Sequence, residues 1–85
     1  MKIIELDGSR LREAGKSHEY LKDKFSFPEY YGMNLDALYD VLTDIGESCE
    51  VSIINSEDMD MGLKRVFEDA AAENPSLEIL FLGLV

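Results

Sequence analysis

Three short apolar segments, set far apart by stretches of helical spacing, constrain this chain more than any other feature. Lys2 to Leu6, Glu50 to Ile54 and Leu77 to Leu82 are each rich in Ile, Leu or Val and read as strands. The order is therefore strand, two helices, strand, helix, strand. Strands separated by helices imply an α/β fold, a small three-stranded parallel sheet with right-handed crossovers. Polar residues alternate with apolar ones in Val51-Ser52-Ile53 and Leu77-Glu78-Ile79. One face of the sheet is thus expected to be only partly covered, with all three helices on the other.

The first helix is expected from about Lys16 to Phe25, where Ala14, His18, Leu21 and Phe25 recur at helical intervals. His18 falls on that stripe with no nucleophile recognisably placed beside it, so it reads as a packed residue rather than a catalyst. The second helix should open at Asn34, a good N-cap residue, with Asp36 in the first turn, and end at Gly46. Leu35, Leu38, Leu42 and Ile45 form its core stripe, widened by Val41. A third helix covers about Asp58 to Glu73, with Met59, Leu63, Val66, Phe67 and Ala70 inward and Asn74-Pro75 as its stop. Gly62 suggests a break or a separate short turn near its start. With 85 residues and no repeat or linker, one domain over 1–85 is expected.

Charge narrows the function. Lys plus Arg number 8 against 18 Asp plus Glu, a net charge of −10 with His18 neutral. Such a field repels phosphate backbones, so direct nucleic-acid binding is disfavoured and a basic protein partner is steered in quickly. It also disfavours tight self-association through an acidic face, so a monomer is expected when free. A single cysteine, Cys49, has no intramolecular partner, and no Cys/His cluster exists to hold zinc. The longest apolar run, Ile79 to Val85, is too short to span a bilayer, and no long apolar segment follows Met1. A reducing, cytoplasmic location fits. Oxidation of Cys49 to an intermolecular disulfide is an expected artefact.

At about 100° per residue, Asp36, Asp40 and Asp44 stack in one column on the second helix, opposite Leu38. Like charges four apart cost about 0.2–0.5 kcal/mol per pair, and Asp44 also sits near the unfavourable end of the helix dipole. Asp69 and Glu73 form a second column on the last helix. Either column is a solvated helix face or part of a phosphate-mimicking surface, and spacing does not show whether the two lie together. Before the second helix stands Tyr30-Tyr31, two aromatics that do not easily share one pocket. One anchoring the loop would leave the other exposed, as an interface residue; both packing locally is the alternative.

Two other chemistries are weak. Ser56-Glu57-Asp58-Met59-Asp60-Met61-Gly62 resembles a calcium loop, but glycine would have to stand at Met61 and the closing glutamate at Phe67. A carboxylate pair for hydrolysis needs a dry cleft that raises one acid's pKa, and nothing in the sequence supplies one. No metal or cofactor is expected.

The run Phe27-Pro28-Glu29-Tyr30-Tyr31-Gly32-Met33-Asn34-Leu35-Asp36-Ala37-Leu38-Tyr39-Asp40 strongly resembles the signature of the barstar family. There Pro-Glu-Tyr-Tyr-Gly leads into Asn-Leu-Asp-Ala-Leu-aromatic-Asp. Beyond that run the match is one of pattern, from the opening strand to the acids after Val66-Phe67 in the last helix. The resemblance implies a non-enzymatic inhibitor that protects the producing cell by plugging a small, secreted, basic ribonuclease of the barnase type.

It also implies roles. Tyr30 would lie against the enzyme's catalytic histidine, and Gly32 would let the loop approach closely. Asn34 and Leu35 would border the contact, Asp36 would face a basic residue, and Asp40 would take the place of substrate phosphate. Asp69 stands where a glutamate is typical, with Glu73 a peripheral acid one turn on. Tyr39 replaces a usual tryptophan at the contact, and Cys49 a proline before the second strand, so the loop from Gly46 to Glu50 is expected to differ. Barnase and barstar are a known example of steered association, so fast binding follows here from the resemblance. The alternatives are a module of the same fold binding another basic toxin or a regulatory protein, and an enzyme using paired carboxylates.

Overall fold

The computed structural model describes residues 1–83. Its elements are β1 (Lys2–Asp7), α1 (Ala14–Phe25), α2 (Leu35–Thr43), β2 (Cys49–Ile54), α3 (Met61–Glu73) and β3 (Leu77–Phe81). Short 3-10 turns at Gly8–Arg10 and Ser56–Asp58 follow the first two strands. The strands form one parallel sheet in the order β1-β2-β3, with Ile4 opposite Val51 and Val51 opposite Ile79. This is the expected α/β arrangement.

The period of two along the strands decides which face is covered. Ile4, Leu6, Cys49, Val51, Ile53 and Leu77 point into the core, whereas Ile3, Glu5, Glu78 and Leu80 on the opposite face are exposed. Leu21 and Phe25 of α1, Leu38 and Leu42 of α2, and Leu63, Phe67 and Ala70 of α3 join the same core cluster. All three helices therefore lie on one face of the sheet. Phe67 is the largest of the fully buried side chains in that core.

Several boundaries differ from expectation, each for a local reason. The first helix starts at Ala14, two residues early, because Lys16 already donates its N–H to the Glu13 carbonyl at 3.1 Å. The second helix stops at Thr43, short of Gly46. There the Thr43 hydroxyl donates back to the Tyr39 and Asp40 carbonyls at 2.9 and 3.1 Å. The last helix starts at Met61 rather than Asp58, since Asp60 caps it by accepting the Leu63 N–H at 3.0 Å. Val66 is only half-buried. Cys49 is the first residue of β2 and is buried. Burial pushes its thiol pKa up, which lowers the thiolate fraction that oxidation to a disulfide requires.

Candidate functional site

The Tyr-Tyr pair divides as one anchor and one exposed ring. Tyr31 is 5% exposed and Tyr30 86%. The Tyr31 ring packs 4.8 Å from Phe27, whose own ring stacks 5.0 Å from Phe25, which in turn lies 6.3 Å from Phe67. Its hydroxyl is 2.7 Å from Nδ1 of the buried His18. Burial alone pushes the Tyr31 hydroxyl up to about 12 and holds the His18 imidazole below its ordinary value. Both groups are therefore neutral at pH 7, and the hydroxyl donates to Nδ1 when the ring proton sits on Nε2. His18 is the packed residue expected from its stripe. The chain reverses before Tyr31 through its N–H, donated to the Pro28 carbonyl at 3.0 Å. Tyr30 is thus carried outward on a segment fixed from beneath.

The step from this loop into α2 is equally constrained. Asn34 accepts the Ala37 N–H at 2.8 Å and donates its own amide to the Gly32 carbonyl at 3.1 Å. One side chain thereby caps the helix and ties it to the loop. A Cβ on Gly32 would stand 3.1 Å from the Ala37 Cβ, so glycine lets the loop lie against the first turn. Met33 takes the left-handed conformation, with φ 56°, which costs a non-glycine residue about 1–2 kcal/mol. That strained residue had no signal in the sequence beyond its place between Gly32 and the cap.

Asp36, Asp40 and Asp44 are all exposed along α2, while Leu35 and Tyr39 are half-buried against the core. Among the described residues the ion pairs are Arg12–Asp58, Lys16–Glu13 and Lys22–Glu29, so none of the α2 acids has a cationic partner. Asp58 pairs with Arg12 and Asp60 caps α3, which accounts for two carboxylates of the calcium-like run. Among the described residues no group of three or more His, Cys, Asp or Glu is placed to hold a metal ion.

How α2 and α3 lie decides which side of α3 carries the second acidic column. At one end, a Cβ on Gly62 would meet Leu35 Cδ1 at 3.5 Å. At the other, the Asn74 amide donates to the carbonyls of Leu42 and Ile45, each at 3.0 Å. The helices therefore run parallel, side by side. Asp69 and Glu73 follow Gly62 by whole numbers of turns and share the flank of α3 that carries Gly62 toward α2. Both are exposed. The geometry brings Asp69 and Glu73 to the α2 side of their helix.

Sequence reasoning missed the cleft beside this surface, a space of about 280 Å³ with Tyr30, Phe27, Val41 and Asp44 in its lining. Its walls come from four separate stretches of chain, and no local pattern signals it. Asn74, noted only as a stop signal, is the residue that fixes the end of α2.

Residues 1–78 match the family model described as Barstar (barnase inhibitor). The chain belongs to the barstar family. It is also similar to a protein of Bacillus subtilis (strain 168) named "Putative ribonuclease inhibitor YrdF", with 51% identity over 43 residues. That match covers 51% of this chain and 47% of the relative, so it spans about half of each. The barstar family is defined by inhibition rather than turnover, which sets the enzyme alternative aside. Cys49 has a use for its own N–H in this barstar-family chain: it donates to the Ser76 carbonyl at 2.8 Å, a bond that proline has no hydrogen to make. No helix among the described residues is long and apolar enough to cross a membrane.

Proposed function

We propose that this chain, acting as a single unit over residues 1–85 and monomeric when free, inhibits a small, secreted, basic ribonuclease of the barnase type inside the producing cell. The observation that carries this reading is an exposed Tyr30, held from below by Tyr31, directly before a helix whose exposed acids have no cationic partner. A surface of this kind is complementary to a site built to hold RNA phosphates. Asp40 occupies the place of substrate phosphate among the enzyme's arginine and lysine groups, making charge-assisted hydrogen bonds, and is the energetic centre. Asp36 faces a further basic residue. Tyr30 lies against the catalytic histidine, while Gly32, Asn34, Leu35 and Tyr39 border the contact. Asp69 reaches in from α3, with Glu73 beyond it as a peripheral acid.

Asp69 is one methylene shorter than the glutamate usual in the family, which favours a relative of barnase with a closer basic group. Titrating the protein into a barnase-type ribonuclease while following RNA cleavage tests the proposal, with Asp40→Ala in parallel. Stoichiometric inhibition that the variant loses is the expected result. Absence of inhibition by either protein refutes it and leaves a module of the same fold with a different basic toxin or regulatory partner.

A further inference from the structure

The cleft beside Tyr30 lies between the end of α1 and the end of α2. Phe27, Val41 and Ile45 give it carbon walls, and Asp44 and Glu47 add two carboxylates against one ammonium, that of Lys2. The Lys2 Nζ donates to the Phe25 carbonyl at 3.4 Å. Neither Asp44 nor Glu47 has an ion-pair partner among the described residues. A cleft of mixed character, with carbon on some of its walls and two carboxylates against one ammonium, matches the two parts of a long basic side chain, whose stem prefers carbon and whose head prefers oxygen.

Asp44 is also in the wrong place for stability. It caps the carbonyl end of α2, a helix with no basic residue in its last turn, where the dipole disfavours a negative charge. A lysine or an asparagine would suit that position better. Where a local rule is broken without compensation inside the fold, a role outside it is the natural explanation.

We propose that this cleft receives a Lys or Arg side chain of the bound ribonuclease, passing Tyr30, with Asp44 taking its charge. The inference rests on the ribonuclease reading and adds to it a residue, Asp44, that selects among basic partners. Partners lacking a cation at that point of their surface bind less tightly.

The test uses the full chain and a barnase-type ribonuclease, measuring association and dissociation rates. A side chain at Gly46 meets nothing within 4 Å, and its backbone lies outside the left-handed region. Gly46 lines the cleft, so Gly46→Phe and the smaller Gly46→Leu add bulk at its wall without displacing a neighbour. Melting curves verify that each variant folds. Insertion predicts that Gly46→Phe speeds dissociation by about tenfold or more, Gly46→Leu by less, and that Asp44→Asn weakens binding by about tenfold. If Asp44→Asn slows only association and the Gly46 variants match the parent, Asp44 is a steering charge and insertion is wrong. If all three match the parent while Asp40→Ala loses binding, the cleft is empty in the complex. If the parent itself does not bind, the ribonuclease reading falls and this inference with it.

Discussion

The Tyr31 hydroxyl meets Nδ1 of His18 at 2.7 Å inside the protein, thirteen residues away along the chain. This contact separates the duties of two adjacent tyrosines, one structural and one outward. Tyr31→Phe leaves the buried imidazole nitrogen unpaired and is expected to lower unfolding free energy by about 1–3 kcal/mol. Tyr30→Ala should shift stability by less than about 0.5 kcal/mol, yet weaken ribonuclease inhibition by about 2 kcal/mol or more. Urea denaturation and inhibition titrations on the same two variants check the split.

Protonation of His18 works against the fold. Its folded-state pKa lies below the ordinary 6.5 because burial disfavours the imidazolium. Between the folded value and 6.5 the unfolded chain binds a proton that the native chain does not, so stability rises with pH there. The stabilisation from neutral burial is complete above 6.5 and is lost as pH falls from 6.5 through the folded value. His18→Gln, which has no proton to gain, should flatten this part of the profile. Urea midpoints at pH 7.5 and 5.5 for both proteins provide the measurement.

Asn74 joins the end of α3 to the end of α2 and to β3. Its amide serves the Leu42 and Ile45 carbonyls, and its carbonyl oxygen accepts the Ser76 N–H at 3.0 Å. Asn74→Ala should cost about 1–3 kcal/mol. Asn74→Asp should cost more at neutral pH, because it turns a carboxylate oxygen toward two carbonyls, and should recover part of the loss in acid. Thermal melts of both variants at pH 7 and pH 5 distinguish a hydrogen-bonding role from a merely space-filling one.

Asp44 at the carbonyl end of α2 gives a prediction of opposite sign for stability. Asp44→Asn is expected to raise unfolding free energy by about 0.3–1 kcal/mol, an effect that added salt reduces. Association with a basic ribonuclease should slow as salt rises for the parent chain, since screening weakens long-range attraction. Association rates at several salt concentrations check this, and a rate indifferent to salt would mark the acids as solvated faces only.

Much of this architecture was legible because its signals are local. Strand periodicity gave the covered and open faces of the sheet, and Asn34 marked the start of α2 through cap chemistry acting over three residues. The end of α2 was misplaced at Gly46 because its last carbonyls are served by Asn74, about thirty residues downstream. Which tyrosine of the loop is buried depends on His18 in α1, so the sequence could state the alternatives but not choose. The acids could be assigned to columns from spacing, whereas the side of α3 that carries Asp69 and Glu73 toward α2 follows from Gly62 lying against Leu35. That is a tertiary contact with no trace in either helix alone.

The parallel course of α2 and α3 has a further electrostatic effect. Each helix ends in partial negative charge of about half an elementary unit, and parallel packing collects both ends at one edge of the molecule, near Asp44, Glu47 and Glu73. The potential across the acidic surface is therefore graded rather than uniform, deepening from Asp36 toward that edge. The basic ribonuclease proposed above, carrying its own charge asymmetry, would feel a torque as well as an attraction and would be turned toward one docking orientation before any side chains touch.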